Sequence, residues 1–322
     1  MQLAKLVLAR LVNAVAVLFL VALLTFALVG RAPGDYLQEL AANPQVSAAA
    51  LEQMRVQYGL NQPYYMKFQN WVQNLARADL GFSFVYQRPI RELLSERIWN
   101  TVLLNSAALC LAWVFGMMLG IVAAVRRGSP WDWLIGAATT LALSVPAVVF
   151  SILFLALAVE VGLPVGGMTR SGHEMLTLPG RIADVMRHLV LPAVTVALVS
   201  LPAIARHTRT SLGDALAAPY ILTARSKGLS RFRILTGHAL RSALDPLTAL
   251  FGFSISLLLS ASLLVEVVMA WPGIGQLTYD AVIRRDIFLV VDLAMLSALL
   301  LVAGNVIGDI LLYLSDPRTS RP

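Results

Sequence analysis

Charge is scarce in this sequence. Only 13% of its 322 residues are Asp, Glu, Lys or Arg, where an ordinary soluble domain carries roughly 25%. So little charge cannot coat a soluble surface, and most of the outer face must meet a lipid bilayer. Cysteine is scarcer still: Cys110 stands alone, which excludes an intrachain disulfide and a multi-cysteine metal site. The four histidines, His173, His188, His207 and His238, are dispersed, and none forms a His-x-x-x-His pair. No metal site and no cofactor is therefore expected. Also missing are a Gly-x-x-x-x-Gly-Lys-Ser/Thr phosphate loop, a nucleophile elbow and a zinc-protease helix. The chain is expected to hydrolyse no ATP itself and to hold no catalytic residues. These absences argue against a soluble enzyme or a transcription factor, and no nucleic-acid partner is expected.

Apolar length is what the sequence has in quantity. Hydrophobic residues make up 58%, and the mean hydropathy is +0.74. A helix needs about 20 apolar residues to cross roughly 30 Å of hydrocarbon. Six segments qualify: residues 11–30, a stretch within 98–125, another within 133–159, the shorter 189–205, then 246–265, and finally 287–312 with Asp292 and Asp309 inside it. The first is too long for a signal-peptide core and is followed by Arg31-Ala32-Pro33-Gly34-Asp35, which reads as a turn leaving the membrane. The expected fold is an all-α integral membrane protein with six transmembrane helices.

Six crossings place both termini on one side, and basic residues say which. With both termini cytoplasmic, the inner segments hold 13 Lys and Arg, seven of them between Arg206 and Arg241, against five in the short outer loops. The seven in the long segment 31–101 count little, because long segments translocate largely regardless of charge. Most of the net charge of +7 then lies on the cytoplasmic face.

Two segments are too large to be mere connectors. The outer one shows helical periodicity over 48–58, stopped by Gly59, and a second helix from Pro63 to near Asp79-Leu80-Gly81. Rich in aromatics (Tyr64, Tyr65, Phe68, Trp71), it should pack as a small extracytoplasmic cap. The chain divides on this reading into residues 1–97, the first span with that cap, and 98–315, a five-span domain with an inner loop over 206–245. In that loop Pro219 and Gly228 punctuate a helix of about nine residues, roughly 13 Å long. Ser230 can cap the next helix. A short helix with an Ala/Gly edge, held between two spans, suits another protein's groove; a basic loop lying on anionic headgroups is the bland alternative.

Ala224-x-x-x-Gly228 before the last two spans resembles the EAA loop of ABC-importer permeases. Leu222-Thr223 and His238-Ala239-Leu240-Arg241 depart from the general pattern and look like the variant of one branch, the peptide/nickel (dipeptide/oligopeptide) permeases. An ordered set extends that resemblance along nearly the whole chain: Ala32-Pro33-Gly34-Asp35, Gly59-Leu60-Asn61-Gln62-Pro63, Asp79-Leu80-Gly81-Phe82-Ser83, Ser144-Val145-Pro146, His188-Leu189-Val190-Leu191-Pro192-Ala193, Trp271-Pro272-Gly273-Ile274-Gly275, Arg285-Asp286 and Asp316-Pro317-Arg318. The resemblance implies the type I ABC importer permease fold and an inner-membrane location. It also implies three kinds of partner: a second homologous permease subunit in a heterodimer, two ABC ATPase subunits inside, and an extracytoplasmic substrate-binding protein. Tyr220, Thr223, Ala224, Lys227 and Gly228 would form the coupling helix that docks on an ATPase. The cargo would be a di- or oligopeptide, or a related solute such as a nickel or metal chelate or glutathione.

Other residues carry weaker expectations. Asp292 and Asp309 are 17 positions apart, about 25 Å along a helix, so they cannot share a proton as the dyad of an intramembrane protease must. Both are expected to reach headgroups, neighbouring helices or partner subunits, with Asn305 and Asp309 as a packing pair. Glu266 closes the fifth span either as an ordinary interfacial charge or as a lining residue of the path. Pro146, Pro192 and Pro202 interrupt the backbone ladder and either line a polar pathway or serve packing. Pro146, Glu266 and the turn Trp271-Pro272-Gly273 are the candidates for pathway or gating. A self-sufficient secondary carrier is the alternative function; it normally shows inverted repeats and midplane charges, and neither is found.

Overall fold

The computed structural model describes residues 2–29, 31, 41, 47–57 and 61–315. The expectations on Ala32-Pro33-Gly34-Asp35, Gly59-Leu60 and Asp316-Pro317-Arg318 lie outside them. Within the described residues the order is α1 (Gln2–Val29), α2 (Ala48–Gln57), α3 (Tyr64–Ala76), β1 (Phe82–Ser83), β2 (Arg88–Pro89), α4 (Ile90–Val125), α5 (Pro130–Ser144) and α6 (Ala147–Val161). There follow α7 (Leu178–Ala217), α8 (Pro219–Ser226), α9 (Arg231–Ile234), α10 (Leu240–Val268), α11 (Ile274–Ile283) and α12 (Ile287–Ser315). The two strands pair antiparallel, Phe82 opposite Pro89 and Ser83 opposite Arg88. Helix dominates because a backbone in hydrocarbon has no water to bond and must satisfy its own N–H and C=O groups.

Five helices, α1, α4, α7, α10 and α12, are long and apolar enough to cross a membrane. The third expected span is instead two helices, α5 and α6, bent by 104°. Six crossings are reached by counting that pair as one. The cause is local: Pro146 donates no N–H, and its ring forces Val145 into extended backbone, φ −102° and ψ 122°. Pro192 and Pro202 behave differently. Both are buried inside α7, which runs unbroken for 40 residues and extends the expected fourth span at both ends.

The chain forms two compact units. One joins Leu3–Thr101 to Pro272–Leu300. Its interior groups Ile90, Leu93, Ile274, Leu277, Leu289 and Leu293, with a second cluster of Ala22, Phe26, Trp71 and Val291. The aromatic face of α3 explains that second cluster: the Phe26 ring meets Phe68 edge-on at 5.3 Å and Trp71 at 5.5 Å.

The other unit joins Val102–Trp271 to Leu301–Pro322. Leu104, Ala108, Val196, Ile204, Leu258 and Trp271 make its core. Glycines allow its helices to touch. A Cβ on Gly120 of α4 would lie 2.6 Å from the Ala205 carbonyl oxygen and 2.5 Å from Thr208 Cβ on α7. Gly308 likewise brings α12 against Gly252 of α10, backbone on backbone. Large exposed side chains such as Met118, Leu153 and Phe253 form the outer faces of this unit, as expected of helices solvated by lipid.

Gly120→Val should therefore cost about 1–3 kcal/mol by overpacking and lower the thermal midpoint of the purified protein in detergent. Gly136→Ala, where a Cβ meets nothing within 4 Å, should be neutral or stabilising, because alanine is the better helix former. Equal midpoints for the valine variant and wild type would contradict the close α4–α7 approach.

Candidate functional site

The loop between α7 and α10 is built by punctuation and anchored by small apolar residues. Ala218 alone separates α7 from α8, and Pro219 opens α8 at a position where its missing N–H is harmless. The helix ends where Gly228 takes φ +75°, with the Lys227 amide on the Thr223 carbonyl at 3.1 Å and the Gly228 amide on the Arg225 carbonyl at 2.9 Å. Ser230 Oγ then accepts from the Arg233 amide and starts α9. A five-residue π turn, Leu235–Ala239, leads into α10.

One edge of α8 is buried. Ile221 and Ala224 pack with Ala124, Leu212, Ala215, Ile234, Ala239 and Ala243. The remaining faces are exposed and carry Tyr220, Leu222, Thr223, Arg225 and Lys227, followed by Gly228. Phe232, 76% exposed, extends this mixed apolar and basic surface. Four of the five residues assigned to docking thus point outward. Ala224 points inward, and its small side chain serves close packing within the chain.

An ion pair that the sequence reading missed ties α5 to α7. Arg209 Nε and Nη2 donate to Asp132 Oδ1 and Oδ2 at 2.5 and 2.8 Å, and the Gly128 amide donates to Oδ2 at 3.0 Å. A separation of 77 positions leaves no local signal for such a pair. Also missed was the group around Asp184: His173 Nδ1 lies 2.7 Å from its Oδ2, the Arg170 amide donates to the same oxygen at 3.1 Å, and His188 Nδ1 lies 2.8 Å from its carbonyl oxygen.

Motifs widely spaced in the sequence meet in the first unit. Ser83 Oγ donates to Asp286 Oδ2 at 2.6 Å, joining the Asp79–Ser83 and Arg285-Asp286 motifs, and the Val85 amide donates to the same oxygen at 3.2 Å. The Leu289 amide donates to Asp286 Oδ1 at 3.3 Å. Burial pushes the Asp286 carboxyl above the ordinary carboxylate range, and these donors work against that shift. Tyr86 donates to Asp280 at 3.1 Å. Burial, then the Asp280 charge, raises its phenol. Asp292, expected to reach headgroups, a neighbouring helix or a partner subunit, is buried and accepts from Trp71 Nε1 of α3 at 2.8 Å. Asn305 accepts from Ser256 at 2.6 Å, and the Asp309 side chain lies outside the described residues.

The pathway and gating candidates are divided between the two units: Pro146, Glu266 and Trp271 belong to the second, Pro272 and Gly273 to the first. Pro146 is exposed at the bend. Glu266 is fully buried within the chain, and its carbonyl accepts from the amide of the equally buried Trp271 at 2.9 Å. In the first unit the Pro272 carbonyl accepts from Asn100 Nδ2 at 2.7 Å, and the Ile274 amide beyond Gly273 donates to Thr101 Oγ1 at 2.8 Å.

Asp286→Ala should strand Ser83 Oγ and the Val85 and Leu289 amides, at about 1–3 kcal/mol for each buried donor. A clear fall in thermal midpoint is expected, much larger than that of Ser83→Ala. Equal falls would contradict the role of Asp286 as the hub.

Two family models match the chain. Residues 116–321 match the binding-protein-dependent transport system inner membrane component, and residues 3–105 match the N-terminal region of such membrane components. Among curated proteins, the chain is 35% identical to the oligopeptide transport system permease protein AppB of Bacillus subtilis (strain 168), across 96% of this chain and 97% of that one. It is also 35% identical to the di/tripeptide transport system permease protein DppB of Pseudomonas aeruginosa (strain UCBPP-PA14), across 93% and 94%. Among solved structures, an inward facing conformation of the MetNI methionine ABC transporter superposes with a TM-score of 0.57 at 19% identity, covering 70% of this chain and 97% of that chain.

Proposed function

The chain belongs to the family of binding-protein-dependent transport system inner membrane components, and from that premise we propose what it carries and how it is driven. It is a membrane-spanning permease subunit of an ATP-driven ABC importer, with the type I importer permease fold, and a transport subunit rather than an enzyme. The relatives give no support to a secondary carrier. The proposed cargo is a di- or oligopeptide, the class named for both relatives; nickel or metal chelates and glutathione are the related solutes. The permease pairs with a second homologous subunit as a heterodimer, and the path lies between the two. Two ATPases bind inside and a substrate-binding protein outside. Both termini face the cytoplasm, an orientation supported by 13 inner against five outer basic residues.

The observation that carries the mechanism is α8: eight residues, anchored along Ile221 and Ala224 and exposed along Tyr220, Thr223 and Lys227. Closure of the ATPase dimer would push this helix as a rigid body. The one-residue link at Ala218 passes that push to the 40-residue α7 and rocks the spans between outward- and inward-facing states. Pro146, Glu266 and the Trp271-Pro272-Gly273 turn are the proposed gating elements.

Reconstituted with its partner permease but without ATPase subunits, the protein should accumulate no peptide; accumulation would contradict the ATP-driven reading. Gly228→Asp tests the docking helix. Asp tolerates positive φ better than most residues, and a Cβ at Gly228 meets nothing within 4 Å, so insertion and folding should survive. ATP-coupled uptake should fall by about ten-fold or more, the equivalent of roughly 1.4 kcal/mol of docking. Uptake at the wild-type rate would remove α8 from the coupling path.

A further inference from the structure

A cavity of about 880 Å³ lies between α5 and α7, and no step of the transport mechanism uses it. Its polar end is basic. Arg209 spends Nε and Nη2 on Asp132, which leaves Nη1 for a ligand. Arg206 also lines the cavity and is exposed, and its side chain makes no ion pair or hydrogen bond among the described residues. The hydroxyls nearby are already committed as donors: Thr210 donates to the Arg206 carbonyl and Thr140 to that of Gly136. The charged donors left in the lining are guanidinium N–H groups. Asp132, the only carboxylate in the lining, is neutralised by Arg209. An anion fits this end and a cation does not.

Apolar side chains also line the cavity, among them Ile135, Leu141 and Ala205. A ligand that fills it must be amphiphilic. Its depth in the bilayer is marked by Trp131 and Trp133, both exposed at the start of α5, and by Arg126, which lies 5.8 Å from the Trp131 ring centroid. Exposed tryptophan beside arginine is the pattern of the headgroup layer, and basic pockets between membrane helices receive anionic headgroups. We propose that this cavity binds one anionic phospholipid, its phosphodiester on Arg206 and Arg209 and its first acyl carbons along Ile135 and Leu141.

The test uses the assembled importer in nanodiscs of phosphatidylcholine doped with phosphatidylglycerol, and native mass spectrometry to count retained lipid. Wild type should retain phosphatidylglycerol over phosphatidylcholine, and Arg206→Gln should reduce that preference by about five-fold, the worth of one basic residue at a membrane surface. Arg91→Gln, which removes the same charge elsewhere, should leave it intact. An unchanged preference in Arg206→Gln, or displacement of the lipid by millimolar inorganic phosphate, overturns the proposal; the latter would mean a free-anion site. A second measurement does not depend on the fate of the Arg206 variant. Dibrominated phosphatidylglycerol should quench wild-type tryptophan fluorescence more than dibrominated phosphatidylcholine, and Trp133→Phe should abolish the excess. Equal quenching by the two lipids, as expected if a second subunit fills the cavity, also overturns it.

Discussion

Two side chains, Ile221 and Ala224, decide whether the loop between α7 and α10 is a lever or a tether. Both are buried against Leu212, Ala215, Ala239 and Ala243. Burying an isoleucine stabilises by about 1.5–3 kcal/mol, and the alanines around it let the backbones come close enough for that burial to be complete. A loop without this contact would absorb a push by bending. With it, the push reaches the long helix α7, whose own buried prolines leave it continuous. The proposed division of labour follows: energy would arrive from an ATPase partner through a surface of a few residues, and the permease would convert it by moving as packed bodies.

The opposite problem, holding irregular chain in place, is solved around Asp286. A buried carboxylate is expensive unless donors surround it, and Ser83, Val85 and Leu289 supply them. Asn100 and Thr101 do similar work for the turn that begins at Pro272. Several short motifs that give this chain its family resemblance are thus structural fastenings. Trp271, one of the proposed gating residues, is packed into the core of its unit.

Much of the fold was legible because the signals were local. Apolar length located the spans, Pro219 and Gly228 bounded α8 nearly to the residue, and Ser230 capped the helix after it. The aromatic face of α3 anticipated its packing on Phe26. Context decided the rest. Three prolines looked alike in the sequence, yet only Pro146 marks a break, while Pro192 and Pro202 sit buried in a helix that its neighbours hold together. Asp132 and Arg209 are 77 positions apart, Ser83 and Asp286 203, Trp71 and Asp292 221. No window along the chain contains such pairs. The loop's punctuation was legible and its outer surface remains a proposed docking edge, but the inward turn of Ala224 depends on Leu212 and Ala124, which only the folded chain brings to it.

The central claim is that the outer face of α8 is where an ATPase binds. Cys110 is the only cysteine, so a Cys110→Ala background allows a single nitroxide at Thr223→Cys, on the exposed face of α8. Electron paramagnetic resonance should show a mobile label in the isolated permease pair that becomes immobilised and shielded from a soluble relaxant when the ATPase subunits are added. A label equally mobile and accessible with and without them would contradict the account.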